Sequence, residues 1–129
     1  MKIYVSHPIR GIHRDAGQAE IEANNLRAKI FGAALRLRYP QHEFHIPAEH
    51  EEFVALAHVG HYLSADEILS IDCQLIDRSD GVIFYDHQAR FSPGMLVENH
   101  HACQGNKPTA ILSSTELIYT LPELEVLLK

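Results

Sequence analysis

Two acidic residues and one helix start carry the clearest chemical signals in this chain. The segment SPGMLVE (92–98) begins with Ser92, a good N-cap residue, followed by Pro93, favoured at the first helical position, so it opens a helix. A helix N-terminus presents unpaired N–H groups and a partial positive charge, which suits an anion, and the Ser92 hydroxyl adds a donor. Glu98 follows about two turns later, at 3.6 residues per turn. A ligand anchored at the helix start would therefore meet a carboxylate further along. Asp72 lies in the apolar helical stretch ILSIDCQLI (68–76). A carboxyl beside an apolar face is driven toward a raised pKa, which a general acid needs near neutral pH. The same position also reads as a boundary residue on the polar stripe of its helix.

The segment SHPIRG (6–11) adds a cation. Arg10 offers a planar fork for phosphate or carboxylate, and Gly11 allows close backbone approach; a plain turn with a solvated arginine fits the same residues. Tyr4 precedes this loop, and its hydroxyl needs a partner once buried, either a carboxylate or a core group. Ten histidines invite a metal reading, with His45 and His50, His58 and His61, and the adjacent His100 and His101 near Cys103 as candidates. None has a recognised zinc spacing, and neighbours on a helix cannot face one ion from one side, so no metal site is expected.

These residues need a frame. Lys2–Ser6 reads as a buried strand ended by His7-Pro8, and residues 7–17 as a loop. From Gln18 to Arg38, Ala19, Ala23, Leu26, Ile30, Ala34 and Leu37 recur at three or four, predicting an amphipathic helix with that stripe on the core. Residues 43–46 form a second strand and 49–60 a short helix. Ser64 and Glu67 make a capping box for a helix through Arg78. The apolar run Gly81–Tyr85 is a central parallel strand. A helix over 93–104, a strand at Thr109–Leu112 and a capping box at 120–123 for a last helix complete the chain. The order β-α-β-α-α-β-α-β-α predicts one α/β domain over 1–129, a three-layer Rossmann-like or flavodoxin-like parallel sheet with helices on both faces. Ligands of such folds bind beyond the carboxyl ends of the strands. The loops 6–17, 46–50, 86–94 and 113–116 are where a site is expected.

The bulk properties narrow the classes. A chain of 129 residues, 46% hydrophobic and 22% charged, holds one core. Its net charge of −6 argues against duplex nucleic acid as partner but leaves room for a local anion site. No apolar run approaches the roughly 20 residues that span a bilayer, and the first residues lack a signal-peptide core, so no membrane partner is expected. Two cysteines fit a reducing cytosol.

Three blocks, in this order, resemble the nucleoside 2-deoxyribosyltransferase superfamily, and most nearly its 2′-deoxynucleoside 5′-monophosphate N-glycosidases. They are IYVSHPIRG (3–11), IDCQLIDRSDGVIFYD (71–86) and SPGMLVENHHACQGNKP (92–108). The resemblance implies that Glu98 is the nucleophile, Asp72 the carboxylate that handles the base, and Tyr4 a tyrosine that helps set the glutamate. It places Ser92 and Gly94, with Ser6, Ile9, Arg10 and Gly11, among the residues that bind substrate and its 5′-phosphate. His45 or His50 falls near the segment bordering the base. It departs from the family in His7 and Pro8, where small residues are usual, and in Leu96, which replaces a glycine before the glutamate. The implied activity is hydrolysis of a nucleoside monophosphate to base and sugar phosphate without a cofactor. The alternatives are exchange of bases by a transferase, or a module that binds a nucleotide without turning it over. A cytoplasmic homodimer or higher homo-oligomer is implied, with the helices of Asp72 and Glu98 near the interface.

Overall fold

The computed structural model describes residues 1–9, 17–60, 62–86, 90–113 and 126–128; the side chains of 58 and 59 are outside that description. Four parallel strands, β1 (Lys2–Ser6), β2 (Glu43–His45), β3 (Gly81–Tyr85) and β4 (Thr109–Leu112), form one sheet in the order β2-β1-β3-β4. The helices are α1 (Gln18–Arg38), α2 (Glu51–Val59), α3 (Ala65–Asp77) and α4 (Pro93–Gln104), with a 3₁₀ turn at Pro47–His50. Strand alternation sorts the core into two layers. Ile3, Val5, Ile83, Tyr85, Ala110 and Leu112 pack on Ala28, Phe31 and Leu35 of α1. Tyr4, Val82 and Phe84 pack on the other side with Ile76 of α3 and Met95 and Ala102 of α4. The fold is thus a three-layer, Rossmann-like α/β domain, as the element order predicts.

Local chemistry explains where the helices near the site begin. The Ser64 side chain accepts from the Glu67 N–H and the Glu67 carboxylate accepts from the Ser64 N–H, each at 3.1 Å, closing the capping box of α3. Ser92 accepts from the Met95 N–H at 3.3 Å and caps α4, with Pro93 at its first position. β3 is buried along its whole length, as a central parallel strand must be.

Two expectations need correction. The segment 47–59 is a 3₁₀ turn followed by α2, not one helix from 49 to 60, and β2 stops at His45, one residue early. Pro47 lacks the N–H that would continue a strand ladder, and it opens the 3₁₀ turn instead. More consequentially, the large residues of the stripe assigned to the core on α1 face outward, Leu26 57% exposed, Ile30 54% and Leu37 80%, while Ala34 of that stripe packs against the core. The sheet takes the opposite side, carrying Asn24, Asn25, Ala28, Phe31, Gly32 and Leu35. That side holds the one aromatic of the helix, stacked on Tyr85 at 4.1 Å between ring centroids, and the one glycine. A Cβ at Gly32 would stand 2.0 Å from Ile46 Cδ1, so any larger residue there requires the Ile46 side chain, just past β2, to shift. The capping box at 120–123 lies outside the described residues; of the last helix only Val126 and Leu127 are seen, and Leu127 and Leu128 enter the α1-side core.

β2 and β3 lie on opposite sides of β1, so the chain's direction of travel across the sheet reverses between β1 and β3. Such a switch point opens a crevice at the carboxyl ends of the strands, where α/β sheets bind ligands. No helix among the described residues is long and apolar enough to cross a membrane.

Candidate active site

The crevice holds a buried acid. Glu98, on the second turn of α4, is only 6% exposed. Ser6, the last residue of β1 and fully buried, donates its hydroxyl to Glu98 Oε1 at 3.1 Å. Alternation along β1 puts Tyr4 on the same face of the sheet, directly below. Oε2 of Glu98 is buried and has no formed hydrogen bond among the described residues. Burial pushes the Glu98 carboxyl up to about 7, helped by the charge of Asp72 and opposed by hydrogen bonding from Tyr4 and Ser6. With Oε2 unpaired, Tyr4 acts on this carboxyl as a nearby donor rather than through a closed bond.

Asp72, one turn from the end of α3, faces the same place because α3 packs against α4. Its carboxyl is held up at about 6 by burial, and Tyr4 draws it back toward ionisation. Tyr4 is 1% exposed, and its hydroxyl is pushed well above its ordinary value by burial and by the charges of Glu98 and Asp72. It therefore stays protonated and serves both acids only as a donor. Two carboxyls that share one donor and oppose each other's charge favour states with a single negative charge between them. That is the arrangement needed when one acid attacks and the other delivers a proton. The neighbouring Cys73 thiol is pushed up by burial and by Glu98, Asp72 and Asp77, so it is no nucleophile.

His45 ends β2 half-buried, in register with Tyr4. Its ring stacks on Tyr4 at 5.6 Å and on His50 at 5.1 Å. Burial, then the charge of His50, lower its pKa, which keeps the ring neutral beside the acids. The stack carries an aromatic surface from the acid pair to the rim at His50.

His7 is the residue that sequence reasoning passed over, noting only that it replaces a smaller one. It is buried, with a pKa lowered to about 4 by burial, against the raising influence of the Pro8 carbonyl. Its Nε2 accepts from the Ala48 N–H at 3.0 Å, which leaves Nδ1–H to donate to the Pro8 oxygen at 3.1 Å. A neutral imidazole thus ties the loop after β1 to the turn after β2, whose strands lie side by side. The available signal was a histidine at the end of an apolar strand, directly before a proline.

Of the remaining candidates the structure describes Ile9, Ser92 and Gly94. Asn24 of α1 donates to the Ile9 carbonyl at 2.8 Å, holding the start of the loop while the Ile9 side chain stays 41% exposed. Arg10 and Gly11 lie outside the described residues. Ser92 is buried; its oxygen accepts the cap bond, and its hydroxyl hydrogen has no acceptor among the described residues. Among the described residues a Cβ at Gly94 would meet nothing within 4 Å, so they leave open space beside the first turn of α4. Ser92 and Glu98 are about 9 Å apart along the helix axis, at 1.5 Å per residue. Among the described residues no three His, Cys, Asp or Glu side chains converge as a metal site. Asp77 instead binds His101 Nε2 at 2.7 Å, joining α3 to α4 beneath the acids.

Searches of protein-family models, of curated proteins and of solved structures found no match to this chain.

Proposed function

We propose that this protein hydrolyses the N-glycosidic bond of a nucleoside or deoxynucleoside 5′-monophosphate, releasing the base and a sugar 5-phosphate. The observation that supports this best is the buried Glu98 carboxylate, positioned by Ser6 and set against Asp72 and Tyr4 in the switch-point crevice. Breaking the bond at C1′ builds positive charge on the sugar. Ionised Glu98 stabilises that charge and adds to C1′, forming a glycosyl ester as the C1′–N bond breaks. Asp72, held up at about 6, supplies the proton that the leaving base takes. Water then attacks C1′, its proton returns to Asp72, and Glu98 leaves as carboxylate. Tyr4 donates to the acids throughout and keeps them placed. The Gly94 N–H and the Ser92 hydroxyl at the start of α4 receive the phosphate, since Pro93 has no N–H and those of Met95 and Leu96 are taken by Ser92.

An anionic ligand gains nothing from a pair of acids placed beside it, so the pair favours turnover over binding alone. The test is incubation with the common nucleoside and deoxynucleoside monophosphates, with chromatography for free base. Release is expected from the wild type and lost by several orders of magnitude in Glu98→Gln. Turnover by Glu98→Gln within tenfold of wild type overturns the assignment.

A further inference from the structure

Helix α1 is apolar on two sides. The side buried on the sheet satisfies what one amphipathic helix needs. The other carries Ala19, Ala23, Leu26, Ile30, Ala33 and Leu37, at spacings of four, three, four, three and four. At 100° per residue these six lie within about 40° of the direction opposite the buried side. Leu26, Ile30 and Leu37 are each more than half exposed. A four-three alternation of apolar residues over five intervals is the seam of a helix pair, with Leu26 and Ile30 at its centre and alanines on either side that permit close approach.

We propose that this seam binds α1 of a second copy of the chain, antiparallel about a two-fold axis between Leu26 and Ile30. Leu26 then meets Ile30 of the second copy, Ala23 meets Ala33, and Ala19 meets Leu37, each contact occurring twice. The charges along the seam select this occupant and this direction. One flank runs Glu22, Lys29, Arg36 and the other Glu20, Arg27, Arg38, each acidic at its start and basic at its end. An isologous interface must be self-complementary, and the antiparallel pairing brings Glu20 to Arg38 on one flank, while on the other Arg36 is already held within its own copy by the Glu49 carboxylate and the Phe44 carbonyl. A parallel pair would align like with like. Arg27 and Lys29 meet their own copies at the middle, where Lys29 is already bonded to Glu51 at 2.6 Å and Arg27 to Asn24 at 2.7 Å. A helix of 21 residues spans about 31 Å, so the pair buries less than a standard interface of about 1,600 Å². The dimer is therefore weak and concentration-dependent. It forms on the face of the sheet opposite Glu98, so it neither uses nor requires the proposed chemistry.

Sedimentation velocity of the full chain from about 1 to about 500 µM tests this, a range that brackets a Kd typical of small interfaces. The wild type is expected to pass from monomer to dimer. Leu26→Glu and Ile30→Glu, at exposed positions and with unchanged circular dichroism, are expected to stay monomeric. Val97→Glu, on the opposite layer, is expected to dimerise like wild type. Glu20→Lys is expected to weaken the dimer at least threefold, and adding Arg38→Glu to restore it. A wild type that stays monomeric at the highest concentration overturns the proposal. So does a dimer that survives Ile30→Glu, or one that Val97→Glu abolishes. A dimer strengthened by Glu20→Lys overturns the antiparallel direction.

Discussion

Ser6 and Glu98 are separated by 92 residues of chain and joined by one buried hydrogen bond of 3.1 Å, from the end of β1 to the second turn of α4. That bond reports how the crevice is built. β1 and β3 are neighbours, α4 starts just beyond β3, and its second turn passes over the end of β1. The donor favours the ionised carboxyl, against the burial that favours the neutral one.

Ser6→Ala removes that donor without adding bulk. Both Glu98 oxygens then lie buried with no formed bond among the described residues, and the carboxyl rises above its present value of about 7. Base release at pH 7 is expected to fall by about tenfold, with recovery toward higher pH, because less of the nucleophile is ionised. A profile of kcat/KM against pH checks it: because Glu98 holds its proton more tightly than Asp72, the plateau falls and the alkaline limb moves up while the acidic limb stays near 6, and an unmoved alkaline limb rejects the role given to Ser6.

The cost of burying Glu98 has a pH signature. The carboxyl ionises near 4.5 in the unfolded chain and at about 7 in the folded one. Between those values the folded state holds more protons, so stability declines as pH rises through the window. Glu98→Gln removes this contribution. The variant is expected to gain on the wild type between pH 5 and pH 8, by on the order of 3 kcal/mol in urea unfolding. A difference between the two proteins that does not change with pH contradicts the buried-acid reading.

Activity has its own window. The reactive form has Glu98 ionised and Asp72 protonated, while their carboxyls titrate at about 7 and about 6. The nucleophile thus holds its proton more tightly than the acid, and the reactive form is a minor one. We expect a bell-shaped kcat/KM profile with limbs near 6 and 7 that belong to the pair. Asp72→Asn should flatten the alkaline limb and lower turnover by about a hundredfold or more, a usual worth of a general acid. Retention of that limb in the variant assigns it to another group.

Recognition of the phosphate is separable from the chemistry. Ser92→Ala is expected to raise KM for monophosphates more than for nucleosides, and to lower stability by about 1 kcal/mol through the lost cap. Arg10→Ala should do the first without the second. Parallel kinetics on a nucleotide and its nucleoside decide the point; equal use of both by the wild type argues against a phosphate cradle.

Much of the frame was legible before folding was considered. The capping box at Ser64 and Glu67, the Ser92-Pro93 start and the apolar run at Gly81–Tyr85 act within one turn or one strand, so residue types alone locate them. The alternation of strands and helices then leaves few arrangements beyond a parallel sheet covered on both faces. The place of Glu98 two turns past a helix start follows from the same local rules.

What tertiary structure decided is which of several locally equivalent choices was taken. Helix α1 offers two apolar stripes, and periodicity ranks them alike. The burial of Ala28, Phe31 and Leu35 against the sheet, with Phe31 stacked on Tyr85, shows that the inner one is taken. By periodicity Asp72 read more readily as a boundary residue on a polar stripe, until α3 packed on α4 and brought it toward Tyr4 and Glu98. His7 carries no periodic signal at all; its neutral state and its two bonds exist because the ends of β1 and β2 lie side by side. Sequence determines contacts along a helix or strand, whose geometry is fixed by a repeat. The acid pair and its donors come from β1, α3 and α4, and their meeting depends on the packing of the whole sheet.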